Sequence, residues 1–418
     1  MSEDGQRPPV VVQKYGGTSV ATAERILAIA DRIELNLTQT PRLVVVLSAM
    51  GSTTDELVSL AHQVSERPEG REMDLLLSTG EQVTVSLLGL ALQSRGIPAV
   101  SLTALQCGIR TDGVFNVARI RSIDTGRIHE ELDAGRVVIV TGFQGINETN
   151  DITTLGRGGS DITGAALAAA LGAEACEICT DVDGVFSADP SRVPGARLWP
   201  AISYEEAIEM ASSGAKVLHP RAAEVCMEYD VPIHVRSSFH LREGTWIRGG
   251  GEIMERAEVV SVTSDAKIAK VTMLDVPDEP GLAARVFQDL AAAGINIRLI
   301  IQSASSAHQG RITLILDKEF LDGARELVGR WEADKVTSGC VVEDDVAKIS
   351  IVGSRLASTP GLAARMFSVL ARQGINIDCI SSSEMKVACV ISAERLEEAT
   401  RSVHAEFFPA DGTDAATA

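Results

Sequence analysis

Over its first 250 residues the chain alternates short, β-branched apolar runs with longer stretches whose apolar residues recur at helical spacing. Val10 to Gln13 predicts a strand stopped by Gly16-Gly17, Ala21 to Leu37 a helix, and Leu43 to Leu47 a second strand. Met73 to Leu92 reads as one long helix, mostly apolar and therefore buried. Val137 to Thr141 gives a strand, Ser160 to Leu171 an Ala-rich helix, and Ala175 to Cys179 a strand again. Strands alternating with helices predict an α/β domain on a parallel sheet. The run Arg248 to Gly251 breaks the pattern and marks a domain boundary.

Beyond that boundary the pattern repeats itself. Residues 280–303 align without gaps onto 360–383, with 15 of 24 positions identical at an offset of 80. Agreement of that size is a duplicated module, not chance. Each copy opens on an alternating strand (Ala269, Val271, Met273; then Ile349, Ile351) and turns at Pro-Gly. A helix follows with apolar residues at Leu282, Val286, Phe287 and Leu290, and stops at Gly294 or Gly374. An Ile-x-Ile strand comes next, and Ile312 to Leu316 supplies another. The order β-α-β-β-α-β is ferredoxin-like.

A length of 418 residues suits two or three domains. With 45% apolar, 23% charged and 4% aromatic residues the composition is that of a soluble globular protein with buried parallel strands. The net charge of -19 argues against a nucleic-acid surface. The polar N-terminus lacks the apolar core of a signal peptide, and no stretch approaches the roughly 18 apolar residues of a membrane span. The 7 cysteines form no framework, which fits reduced thiols in the cytoplasm. Cys176 and Cys179 lie at i and i+3 of a strand, on opposite faces, so packing explains them better than a metal.

Two glycine-rich turns carry the candidate chemistry. Lys14-Tyr15-Gly16-Gly17 closes the first strand, where α/β sheets bind ligands, and its glycine N–H groups can approach an anion. Arg157-Gly158-Gly159-Ser160-Asp161 opens a helix, where Ser160 or Asp161 can also serve as a plain cap. Two such turns, each beside a cation, read as opposite sides of one phosphate site. The P-loop pattern GxxxxGK[ST] and the HRD and DFG elements of protein kinases are absent. Glu81 interrupts an apolar helix and needs a partner, either a structural arginine or a substrate ammonium. Asp181 and Asp183 follow a strand in a ligand-facing loop, where Asp-Gly is also an ordinary turn. Lys216, alone, would be a solvated surface charge.

Taken in order, KYGGTS, SAMGSTTDEL, STGE, GFQG, LGRGGSD, TDVDGVFSADP and KVLHPRA closely resemble the aspartokinases of the amino acid kinase family. The duplicated module resembles their tandem ACT domains, and the resemblance covers roughly residues 9 to 408. It implies a three-layer αβα kinase domain at 9–250 and two βαββαβ ACT modules at 265–340 and 346–408, with flexible tails at 1–8 and 409–418. The implied reaction phosphorylates the β-carboxylate of L-aspartate with ATP, the nucleotide carrying Mg²⁺ and the protein no metal of its own. That is the first step of lysine, threonine and methionine biosynthesis.

The resemblance also implies roles. Lys14, Asp161 and Lys216 are catalytic. Lys14, Tyr15, Gly16, Gly17, Thr180, Asp181, Phe186, Asp189, Pro190, Lys216 and Val217 line the ATP side. Ser48, Thr54, Glu81, Arg157, Gly158, Gly159 and Ser160 hold aspartate, with Glu81 on its ammonium and Arg157 on its α-carboxylate. Asp278, Ala283, Asn296, Ile297 and Gln302, completed by Ser381, Ser382 and Glu384, form an effector pocket for lysine and/or threonine. Arg298 stands where the family commonly has Asp, and Ser303 where it has Asn, so effector identity is open. The ACT modules imply a homo-oligomer, and Met254 allows an internally initiated regulatory chain. The rival readings are a paralogue acting on another amino-acid carboxylate and a non-catalytic amino-acid sensor.

Overall fold

The computed structural model describes residues 8–66, 68–249, 257–277, 279–304 and 309–409. The chain divides into two compact units: residues 8–186, 197–212 and 216–249 form the first, and 187–196, 213–215 and the segments from 257 onward the second.

In the first unit the strands are β1 (Val10–Tyr15), β2 (Arg42–Leu47), β3 (Ala99–Leu102), β4 (Ile109–Thr111), β5 (Ile120–Ile123), β6 (Val137–Thr141), β7 (Gln144–Ile146), β8 (Ile152–Thr154), β9 (Ala175–Thr180), β10 (Ala201–Ser203), β11 (Ile233–Ser237) and β12 (Thr245–Arg248). The helices are α1 (Ala23–Asn36), α2 (Thr53–Val64), α3 (Arg71–Leu77), α4 (Thr79–Gln93), α5 (Gly126–Asp133), α6 (Gly159–Ala170), α7 (Tyr204–Ser213) and α8 (Pro220–Glu228). Eight strands form the main sheet in the order β10-β12-β11-β9-β1-β2-β6-β3, parallel except at β11–β12. A smaller sheet runs β5-β4-β7-β8.

β2 and β6 are buried at every position, as strands covered on both faces must be. On one face Ile26, Ile29, Ala30 and Ile33 of α1 pack with Val85, Leu88 and Leu92 of α4 against Leu43, Val45 and Ile139 of the sheet. The helical spacing of those residues is what buries them.

The expected single helix over Met73 to Leu92 is two helices, α3 and α4, broken at Ser78. Hydroxyls there turn back on the backbone: Ser78 Oγ donates to the Leu75 carbonyl at 2.8 Å and Thr79 Oγ1 to that of Leu76 at 2.7 Å. The Ser78 carbonyl accepts from Gln144 Nε2 at 3.0 Å. Such back-bonding bends helices. The same stretch corrects the statement that no segment is long and apolar enough to span a bilayer: Arg71–Gln93 meets that test, with 56% of its most apolar window buried inside the protein. Packing of Val85, Leu88 and Leu92 into the sheet accounts for the apolar composition.

The second unit carries β13 (Ser261–Asp265), β14 (Ile268–Pro277), β15 (Ile297–Ala304), β16 (Gln309–Asp317), β17 (Gly339–Glu343), β18 (Val346–Val352), β19 (Cys379–Ser382) and β20 (Lys386–Ser392), with helices α9 (Leu282–Ala292), α10 (Leu321–Ala333), α11 (Leu362–Arg372) and α12 (Leu396–Phe407). The first repeat is a contiguous βαββαβ module with strand order β15-β16-β14-β17. The second has the same order, β19-β20-β18-β13, but its last strand precedes the first repeat in the chain. β13 pairs antiparallel with β18 from Ser261 opposite Val352 to Asp265 opposite Lys348. The first module is thus inserted within the second. Both repeat helices stop at glycines with positive φ, +69° at Gly294 and +65° at Gly374.

Candidate active site

The carboxyl ends of the central strands align. Tyr15 lies opposite Leu47 of β2 and Cys179 of β9, and Leu47 lies opposite Thr141 of β6. Loops leaving these ends form the crevice in which open α/β sheets hold ligands.

Lys14, the next-to-last residue of β1, forms an ion pair with Asp161 in the first turn of α6, both side chains almost buried. The other carboxylate oxygen of Asp161 accepts the His219 N–H at 3.2 Å. Lys14 and His219, from segments distant in sequence, therefore meet at the one carboxylate of Asp161. Gly158 makes that meeting possible. Its φ is +70°, and a Cβ there would lie 2.4 Å from the His219 ring. Burial holds the His219 imidazole below the usual histidine range, and its Nδ1 accepts the Arg221 N–H at 3.3 Å.

The first glycine turn is equally tight. A Cβ on Gly17 would meet the Ala49 carbonyl at 3.0 Å, and the Gly17 carbonyl accepts the Gly51 N–H at 3.0 Å. Ser48 is fixed by its N–H to the Tyr15 carbonyl at 3.2 Å. Gly80 abuts Ala49 so closely that a Cβ would lie 2.8 Å from the alanine Cβ. That contact brings up Glu81.

Glu81 is 2% exposed. Its Oε1 accepts the Ala49 N–H at 3.1 Å, while its Oε2 is buried without a hydrogen-bond partner. No protein cation answers it among the described residues. Burial pushes its carboxyl up to about 7, against the opposing pull of backbone N–H groups. A buried acceptor of this kind, held on Ala49, against which Gly17 of the first glycine turn also packs, is suited to a ligand cation.

Not every expected residue sits at this centre. The Tyr15 ring points to the opposite face of the strand from Lys14, wholly buried and bonded through its hydroxyl to Gln13 Oε1 at 3.1 Å, so only its backbone faces the crevice. Ser160 and Gly159 are buried at the start of α6, and Arg157 is exposed on the turn before them. Thr54 lies half-buried in the first turn of α2; Lys216 is exposed and Val217 half-buried, on the segment ending at His219. Thr180, Asp181 and Phe186 belong to the first unit, but Asp189 and Pro190 fall in the second. The Asp189 carboxylate there closes its own turn, accepting from Ser191 N at 3.0 Å and Ser191 Oγ at 2.6 Å.

Asp183, the second carboxylate of that loop, is engaged by His240 at 2.7 Å and Arg242 at 3.3 Å. Among the described residues no three His, Cys, Asp or Glu side chains cluster as a metal ion would require. Of the effector candidates, Ala283 lies in the first turn of α9, Asn296, Ile297 and Gln302 at or in β15, and Ser381, Ser382 and Glu384 in or just after β19, the equivalent strand of the second module. Asp278 and Met254 lie outside the described residues, as do 1–7 and 410–418 of the two tails.

One supporting residue has no counterpart in the sequence reading. Asp74, fully buried in α3, accepts from Thr154 N at 2.7 Å, Thr154 Oγ1 at 2.8 Å and Asn116 N at 3.0 Å. It thereby anchors β8 directly before the second glycine turn. A lone aspartate in the apolar run Met73 to Leu77 was the available signal.

Residues 9–237 match the amino acid kinase family, and 270–335 and 349–407 each match the ACT domain. An aspartokinase of Thermus thermophilus is 46% identical over 95% of this chain and 98% of its own length. One of Mycolicibacterium smegmatis is 44% identical over 97% and 98%. The chain belongs to the aspartokinases of the amino acid kinase family. Among solved structures, E. coli aspartokinase III in complex with aspartate and ADP matches with a TM-score of 0.80 at 27% identity, covering 96% of this chain and all of that one. The same enzyme with lysine and aspartate matches with a TM-score of 0.71.

Proposed function

We propose that the chain transfers the γ-phosphoryl group of ATP to the β-carboxylate of L-aspartate, under feedback control by an amino acid bound to its ACT modules. The relatives' activity and the complexes of the E. coli enzyme with aspartate, ADP and lysine support this reading. The observation that carries it to this chain is Glu81, a buried carboxylate with one unanswered oxygen beside the Lys14–Asp161 turns.

The chemistry asks little of acid or base groups. The attacking β-carboxylate is ionised at neutral pH, so no proton has to be removed. Its oxygen forms the new bond to the γ-phosphorus as the bond to the β,γ-bridging oxygen breaks and ADP leaves with that electron pair. What remains is to hold two anions together and stabilise charge on the moving phosphoryl group. Lys14, kept in place by Asp161, and Lys216 on the adjoining loop supply positive charge, and the Gly17 N–H faces the phosphates, that of Gly16 being donated to the Cys179 carbonyl at 3.4 Å. Glu81 takes the substrate ammonium, and Arg157 its α-carboxylate through a bidentate fork. Ser48 and Thr54 line the same pocket; Thr180, Asp181 and Phe186 line the adenosine side. Mg²⁺, riding on the nucleotide phosphates, neutralises part of their charge.

Lysine and/or threonine would be sensed by the β15 and β19 strands, and the ACT modules make a homo-oligomer the expected state. An internally initiated regulatory chain from Met254 would appear as a second species in intact mass analysis of protein expressed from the native gene.

The rival reading, a kinase for another amino-acid carboxylate, shares every feature except side-chain length. Turnover of aspartate, glutamate and N-acetylglutamate, compared by ADP release with and without lysine and threonine, separates them. Aspartate is expected to lead by orders of magnitude. Preference for glutamate would overturn the assignment, and no turnover with any of the three would favour a sensor without catalysis.

A further inference from the structure

The two ACT modules meet through Ile268, Ile315, Val346 and Val390, with Leu299 and Cys379 packed alongside. These six residues are three pairs of repeats. Ile268-Ala269-Lys270 matches Val346-Ala347-Lys348, Ile315 lies opposite Lys270 as Val390 lies opposite Lys348, and Leu299 matches Cys379. The contact is therefore pseudo-two-fold, and Lys270 and Lys348 are its two equivalent cations.

Their surroundings differ. The Lys270 ammonium reaches Glu343, its cross-strand partner on β17, at 2.8 Å and Asp378 of the other module at 3.1 Å. Lys348 has Asp265 as its cross-strand partner on β13. The position equivalent to Asp378, 80 residues earlier, is Arg298, itself held by Asp317 at 2.8 Å. The Lys348 residue is 7% exposed, and its side chain makes no hydrogen bond or ion pair among the described residues.

The neighbouring hydroxyls show the same loss. Thr272 and Thr313 hydrogen-bond across the first sheet at 3.4 Å, while Ser350 and Thr263, on the corresponding face of the second, are buried without partners. Burying an ammonium without a counter-charge favours its neutral form. Accordingly Lys348 is lowered to about 8, first by burial and further by Arg298 and Lys386, with Asp265 and Asp317 opposing.

We propose that Lys348 is a carbamylation site, at which its amine captures carbon dioxide and the carbamate pairs with Arg298 as Asp378 pairs with Lys270. Lys348 Nζ uses its lone pair to form an N–C bond to CO₂, one C=O π bond becomes the second carboxylate oxygen's negative charge, and the proton leaves Nζ for water. No oxidant, metal or further reactant is needed. The product restores the anion–cation pair that the substitution of arginine for aspartate removed, with its polarity reversed. The inference rests on the contact between modules and not on the phosphotransfer reaction.

The test uses the full-length chain with ¹³C-bicarbonate at about pH 8.5, read by ¹³C NMR and by trialkyloxonium trapping followed by peptide mass mapping. A carbamate resonance is expected, with the trapped ester on Lys348. Lys348→Met should abolish the signal. Arg298→Asp should also abolish it, because an aspartate beside Lys348 returns the amine to its charged form. The absence of a resonance, its survival in Lys348→Met or Arg298→Asp, or trapping only at other lysines would overturn the proposal. If Lys348→Met fails to fold, the site mapped in the wild-type chain still decides.

Discussion

Replacing Glu81 by glutamine tests the substrate pocket with little disturbance of shape, since the amide oxygen can still accept the Ala49 N–H at 3.1 Å. In the wild-type chain, lifting the carboxyl from its ordinary 4.5 to about 7 makes the ionised form roughly 3 kcal/mol less favourable. A substrate ammonium at the unanswered Oε2 offsets that penalty. Glutamine removes the charge and leaves the ammonium with a neutral acceptor, a loss of about 2–4 kcal/mol, or roughly 30- to 1,000-fold in KM for aspartate. The kcat should change far less, because Glu81 does not touch the phosphoryl group.

The pH dependence has a defined sign. Glu81 titrates higher folded than unfolded, so its stabilising contribution is full below about 4.5 and is lost as pH rises through about 7. Aspartate affinity moves the other way, improving as the carboxylate ionises on passing about 7. Steady-state ADP release between about pH 6 and 8.5 should show KM for aspartate falling in the wild type and flat in Glu81→Gln, while thermal scans show the variant losing less stability over the same range. An unchanged KM in the variant would refute the assignment of Glu81 to the ammonium.

Three further outcomes follow from packing. Gly158→Ala places a Cβ 2.4 Å from the His219 ring at a φ of +70°, so it should lose about 1–3 kcal/mol of stability and at least tenfold in kcat, read by thermal scans and turnover. Asp74→Ala strips three hydrogen bonds from Thr154 and Asn116 and should cost about 3–5 kcal/mol by denaturant titration. Lys270→Met leaves Glu343 and Asp378 without their shared cation, so effector inhibition should weaken while basal turnover is retained, measured by ADP release with lysine and threonine titrated in.

The glycine turns were legible in the sequence because their requirement is local: a backbone that must approach a neighbour admits only glycine. The repeat was legible because 15 identities in 24 positions need no structure to be seen. Features set by tertiary partners were not. The break at Ser78 depends on hydroxyls turned onto carbonyls and on Gln144, 66 positions away. The Tyr15 ring belongs to the core because strand alternation sends it away from Lys14. β13 completes the second module across an intervening module, a pairing that no periodicity encodes. Arg298 was visible as a departure, but its consequence lay in Lys348, 50 residues along the chain.

The account depends on the Lys14 ammonium, steadied by Asp161, meeting the nucleotide's phosphates beside the amino-acid pocket. The most direct measurement is hydroxylamine trapping of the acyl phosphate formed from ATP and L-aspartate, comparing wild type with Lys14→Ala at saturating substrates. Aspartyl hydroxamate should accumulate with the wild type and fall by about 10²- to 10³-fold in the variant, with the fold intact by circular dichroism. Hydroxamate formed at a near-normal rate without the lysine would contradict the account.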